Sequence, residues 1–128
     1  PTDAQQAQAH GNSGGNAITL EARKLHAVWD DLPGKLTTSL LAGDGAKAAR
    51  TVKPAAEPLA QWPALWATDT LQVAPQVFQG LTNRPKADDS WPATAAEPAY
   101  RQARENLQAA QLAKAGARLA QLLTILLP

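Results

Sequence analysis

Lys24-Leu25-His26-Ala27-Val28-Trp29-Asp30 is the stretch on which the reading of this chain turns. Leu25, Val28 and Trp29, continued by Leu32, fall at the three- and four-residue intervals of a helix, and Pro33-Gly34 ends it. The sequence therefore predicts a helix over 22–32. On it His26 and Asp30 stand one turn apart on the same face, so an imidazole and a carboxylate point into the same volume. Zinc takes both donor types, at about 2.0 to 2.2 Å, and one helical turn gives a bite those distances tolerate. The same spacing also suits a surface hydrogen bond of about 0.2 to 0.5 kcal/mol, and the pair by itself leaves both readings open.

Working outward, Gly14-Gly15-Asn16 lies upstream of the histidine, followed by the β-prone Ala17-Ile18-Thr19-Leu20, a candidate short strand over 17–20. Residues 1–16, rich in Gln, Ala, Gly and Asn, read as loop, and His10 within them as a solvated loop residue. Downstream, Leu36 to Leu41 starts a second helix that is interrupted at Gly43-Asp44-Gly45, resumes over Ala46 to Val52, and is closed by Pro54 and Pro58. Trp62 to Leu81 contains a further helix, with Leu71, Ala74, Val77, Phe78 and Leu81 in helical register and a bend at Pro75. The whole of 36–81 thus reads as interrupted helices. A polar, proline-bearing loop is expected over 83–97.

Residues 98–127 then form one long helix. Leu112, Ala115, Leu119, Leu122 and Leu126 line one face, widened by Ala120 and Leu123, and Arg101, Arg104, Glu105, Lys114 and Arg118 read as its solvated side. Trp29, Trp62, Trp66 and Trp91 read as packing residues rather than base-stacking platforms. The expected fold class is mainly α, without internal repeats.

Taken together these motifs carry a resemblance. Gly-Gly-Asn, a short strand, and Leu25-His26-x-x-Trp29-Asp30 resemble the closing part of the active-site region in the zinc-dependent single-strand nucleases and 3′-nucleotidases of the S-one/P-one family. Trp66-Ala67-Thr68-Asp69-Thr70 is similar to that family's Trp-x-x-Glu-Ser helix start. Leu112-Ala113-Lys114-Ala115-Gly116-Ala117-Arg118-Leu119-Ala120 is similar to its C-terminal Leu-x-x-Ala-Gly-x-Arg-Leu-Ala helix. The stretches follow the family's order from Gly14 to the chain's end. Departures are Asn12 and Ser13, where the family has Asp and a basic residue, and Lys24, where it has Asn; Lys cannot accept the capping hydrogen bond that Asn would.

The resemblance implies the C-terminal portion of the phospholipase C/P-one nuclease helical fold. It implies an enzyme that hydrolyses phosphodiester bonds in single-stranded DNA or RNA, and 3′-phosphomonoesters, by metal-activated water, giving 5′-phosphorylated products. His26 and Asp30 would be ligands to one zinc of a cluster of three, and Gly14, Gly15 and Asn16 would bind the substrate, with Asn16 on a base edge. The family's other ligands precede Gly-Gly-Asn and have no counterpart here, so this chain is expected to supply only part of the site. Its partners are then an N-terminal segment of the same enzyme, which would carry any general acid or base, and single-stranded nucleic acid or nucleotides.

Composition narrows the remaining classes. In 128 residues, 12 Lys and Arg balance 11 Asp and Glu for a net charge of +1, so nucleic-acid contact must come from a site rather than from a basic face. With no cysteine there is neither a disulfide framework nor a thiolate metal site. The longest apolar run, Leu119 to Leu127, is broken by Gln121 and Thr124 and falls short of the roughly 20 residues a bilayer span needs, so no membrane partner is expected. Alanine richness and the lack of an Asn-x-Ser/Thr acceptor point to a bacterial protein, periplasmic or secreted as the family resemblance implies. Two other classes stay open: a zinc-dependent phospholipase C on the same scaffold, which the base-reading Gly-Gly-Asn disfavours, and a non-catalytic helical interaction module.

Overall fold

The computed structural model describes residues 13–85 and 90–127, in two compact units: Pro1–Leu32 with Phe78–Arg104, and Pro33–Val77 with Glu105–Pro128. The expected loop before Ser13, including His10, lies outside the described residues. The fold is mainly α, with one small sheet.

That sheet organises the first unit. Strands β1 (Ile18–Leu20), β2 (Arg23–Lys24), β3 (Leu81–Asn83) and β4 (Trp91–Ala95) lie in the order β2-β1-β4-β3. β1 runs antiparallel to β2 and parallel to β4, with Ile18 opposite Trp91 and Leu20 opposite Ala93, and β4 pairs antiparallel with β3. On β1 the buried Ile18 and Leu20 flank the half-buried Thr19, the two-residue period of a strand with one face in the core. Leu25 and Val28 of helix α1 (Leu25–Asp30), Ala93 and Tyr100 complete the core; Ile18 and Leu25 retain only 1 % exposure each. Burying each of these aliphatic side chains contributes about 1.5 to 3 kcal/mol.

Three of the four strands are corrections to the sequence reading. Leu20 and Arg23 pair across a two-residue turn in which Glu21 (φ 49°) and Ala22 (φ 61°) are both left-handed. Such turns favour Asn-Gly, so Glu-Ala carries no local signal for one. The helix expected to begin at Ala22 therefore begins only at Leu25, once Arg23 and Lys24 have paired with β1. It ends at Asp30 instead of Leu32, with Asp31 already extended (ψ 119°) two residues ahead of Pro33. The expected loop over 83–97 contains β4. Pro92 argued against a strand there, but it sits where its carbonyl carries the ladder, accepting from the Arg84 N–H at 2.7 Å.

The second unit is helical: α2 (Gly34–Leu41), α3 (Asp44–Arg50), α4 (Trp62–Val73) and, from Glu105 onward, the long α5 (Ala99–Leu126). The break between α2 and α3 falls where expected, at Gly43 with φ 95°. Pro75 ends α4 rather than bending it: the chain passes into a 3-10 turn over Ala74–Val77, and Leu81, expected in the helix, lies in β3. Lacking an N–H, Pro75 cannot close the bond that would carry α4 further. On the leucine face of α5, Leu119 and Leu126 each remain 57 % exposed. The stripe of α5 that packs in this unit holds instead Gln108, Ala113, Lys114, Arg118 and Gln121. Polar anchors set that rotation. Gln121 donates to the Ala55 carbonyl and accepts its N–H (2.7 and 3.0 Å), and Lys114 and Arg118 both reach Asp69 of α4.

Candidate metal and substrate site

His26 and Asp30 are brought together as their spacing predicts: Nε2 lies 3.1 Å from Oδ2, with 51 % and 68 % of the two side chains exposed. The other face of the ring is held as well. Nδ1 lies 2.9 Å from the carbonyl oxygen of Gly14. A carbonyl oxygen only accepts, so Nδ1 carries a hydrogen and donates it. The carboxylate oxygen at Nε2 only accepts too. Acceptor oxygens thus face both ring nitrogens, an arrangement that a proton or a cation can bridge.

Gly14 and Gly15 thus stand beside the histidine. Gly14 (φ 63°) and Gly15 (φ 86°) are both left-handed, which glycine adopts without penalty. Gly15 is buried against α1; a Cβ there would lie 3.1 Å from the His26 backbone nitrogen, so only glycine lets the loop approach closely enough for the Gly14 carbonyl to reach the ring. The exposed Asn16 closes the turn, its amide nitrogens, backbone and side chain, donating to the Ser13 carbonyl at 3.2 and 3.0 Å.

Helix α1 has only six residues, and Lys24 at its start makes no side-chain cap. Its geometry is supported from outside. Arg23 donates to the Ala27 carbonyl (3.3 Å) and pairs with Asp31; Arg104 reaches the Val28 carbonyl (3.4 Å); and the Trp29 indole N–H donates to the Tyr100 hydroxyl (3.0 Å). Burial pushes the Tyr100 phenol above its usual range, keeping it neutral beside that indole. The sequence reading missed Tyr100 and placed Arg104 on a solvated face. They sit four residues apart on α5, but nothing local signals that they meet residues more than seventy positions upstream.

Elsewhere in the second unit, Asp69 accepts from Lys114 (2.8 and 2.9 Å) and Arg118 (2.7 Å), and the Arg118 guanidinium lies 5.6 Å from the Trp66 ring centroid. Hydrogen bonds from Lys114 and then Arg118 hold the Asp69 carboxyl below the usual carboxylate range. Glu105, likewise expected to be solvated, is largely covered and paired with Lys35 at 2.6 Å. These charges join helices and are structural, and Lys114 and Arg118, read from sequence as solvated, are largely covered.

Among the described residues no third His, Cys, Asp or Glu joins His26 and Asp30 in a metal-binding group, and no helix is long and apolar enough to cross a membrane. Comparison with curated proteins and with solved structures finds no match. The sequence model of the S1/P1 nuclease family, however, matches residues 5–128, taking in the glycine loop, α1 and all of α5, and the chain belongs to the S1/P1 nuclease family.

Proposed function

We propose that His26 and Asp30 are two ligands of a zinc site in a nuclease that cleaves phosphodiester bonds in single-stranded DNA or RNA, and 3′-phosphomonoesters, leaving 5′-phosphorylated products. Membership of a nuclease family implies hydrolysis of nucleic acid as such. The observation that supports the site is the pair of acceptors around the His26 ring. With the Nδ1 hydrogen committed to the Gly14 carbonyl, the Nε2 lone pair is free to face an ion shared with Asp30, the arrangement in which an outer acceptor fixes the tautomer of a ligating histidine. The two donors are 3.1 Å apart, against roughly 3.4 Å for two ligands of a tetrahedral zinc at ordinary distances, so the residues fit the ion.

Bound there, zinc would supply Lewis-acid chemistry, polarising water and offsetting charge on a phosphoryl group. The chain's own residues do the positioning. Gly14 orients the imidazole, Asp30 adds a negative donor, and the exposure of both side chains leaves room for further ligands and a phosphate. Those further ligands are proposed to come from outside the described residues, in a segment preceding Gly14. Asn16 stands at the mouth of the same turn, where its side-chain oxygen can meet a base edge; single strands are favoured because a base must leave its stack to reach it.

The test is zinc stoichiometry and hydrolysis of single-stranded DNA by the intact protein and two variants. His26→Ala should lower zinc content and abolish phosphodiester cleavage, whereas Asn16→Ala should keep its zinc and bind nucleotide more weakly. Full zinc and near-normal turnover in His26→Ala would overturn the assignment.

A further inference from the structure

We infer that Tyr100 is a positioning residue for the His26–Asp30 pair, acting through the indole of Trp29. The inference rests on the metal-site reading above and adds to it a residue far away in sequence. A helix of six residues is well below the length of about 12 to 15 at which helices hold themselves in water, and α1 has no side-chain cap at its start. A ligand pair one turn apart keeps its bite only while that turn is intact. Something outside α1 must therefore fix it.

On the His26 side the Gly14 carbonyl does so. On the Asp30 side, besides the exposed Arg23–Asp31 pair, the preceding residue Trp29 is anchored in the core, its indole N–H ending on the buried Tyr100 hydroxyl at 3.0 Å. Tyr100 is suited to be an anchor: it is 3 % exposed, and its ring lies against Gly80, where a Cβ would come within 3.6 Å of Cδ2. One turn further along α5, Arg104 reaches the Val28 carbonyl at 3.4 Å, so two successive turns of one helix hold the last turn of α1. Rotation of α1 about its axis would carry Asp30 away from the ion and break the Trp29–Tyr100 bond in the same movement. The bond resists that rotation.

The prediction concerns metal affinity rather than fold. Tyr100→Phe keeps the buried ring and removes only the hydroxyl, whereas Trp29→Phe removes the indole N–H together with part of the ring system. Cobalt and zinc affinities are measured in the intact protein by competition with a chromophoric chelator, together with the visible absorption of the cobalt form and thermal unfolding without metal. Each variant should bind either ion about fivefold more weakly, with an altered cobalt spectrum, and Tyr100→Phe should lose in the metal-free unfolding transition no more than the modest stability of one hydrogen bond. The double variant should be no weaker than the weaker single variant, because both remove the same bond. Parent affinity and spectrum in Tyr100→Phe, or additive losses in the double variant, would overturn the inference. His26→Ala, run alongside, separates the two readings. If it loses the metal while Tyr100→Phe does not, the positioning role alone falls; if it retains the metal, the site falls and the inference with it.

Discussion

Gly15 sets how closely the loop before β1 can approach His26, and two demands meet at that one residue. Its φ of 86° is one that side chains with a Cβ rarely adopt, and a Cβ there would press on the His26 nitrogen at 3.1 Å. Gly14 meets only the first demand, with φ 63° and nothing within 4 Å of its Cβ position. Gly14→Ala should therefore cost about 1 to 2 kcal/mol of stability with the ring contact retained. Gly15→Ala adds displacement of the Gly14 carbonyl from Nδ1, and zinc affinity should fall by about tenfold or more, as when an outer partner of a ligating histidine is lost. Zinc titration of the two variants checks this, and equal affinities would show that the carbonyl contact is not used. The His26–Asp30 pair was legible in the sequence because one helical turn fixes it; the third member, a main-chain carbonyl twelve residues away, has no side-chain signature to read.

At the scale of elements, the β1–β2 hairpin and the α4–α5 clasp show different limits of the sequence. The hairpin turn forces Glu21 and Ala22 into left-handed conformations that the pairing of Leu20 with Arg23 maintains. Ala22→Gly should relieve that strain and stabilise the protein by about 0.5 to 1 kcal/mol, read as a rise in the thermal midpoint. The clasp is electrostatic. Because Lys114 and Arg118 lower the Asp69 carboxyl, its contribution is full above the ordinary carboxylate range near pH 4 and is lost as the pH falls through its lowered value in the folded state. Asp69→Asn should cost about 1 kcal/mol at pH 7, the modest value suited to a carboxylate still 30 % exposed, and the difference from the parent should shrink towards zero on acidification below the carboxylate range. Denaturant unfolding of both proteins across that range measures it. Lys114 read as solvated because helical periodicity places charges on a face without saying what covers that face.

At the scale of the whole molecule, the described residues supply two ligands, too few for a usual catalytic zinc. A catalytic zinc ordinarily keeps three protein donors, and among the described residues only His26 and Asp30 converge. The 128-residue chain purified alone and supplied with zinc should therefore show no single-strand nuclease activity, and activity should appear when the chain is expressed with the proposed ligand-bearing segment ahead of it. That segment is also proposed to cover the exposed Leu119 and Leu126 of α5. Full activity from the isolated chain would show that the site is complete without it.

What the sequence determined by itself was whatever depends on neighbours a few residues apart. The mainly helical character, the break at Gly43, the course of α5 and the convergence of His26 with Asp30 all follow from periodicity and from glycine and proline placement, which act locally. The family likeness belongs here too, since it is carried by short ordered motifs. Tertiary structure alone decided the rest: that Arg23 and Lys24 pair with β1 instead of opening α1, that β4 forms around Pro92, that α5 turns its polar anchors rather than its leucines into the second unit, and that Tyr100 and Arg104 hold the last turn of α1. All but the first of those outcomes depend on a partner tens of residues away, and the hairpin of Arg23 and Lys24 is built on a strand that itself pairs with the distant β4; such contacts outweigh a local propensity of about 1 kcal/mol or less.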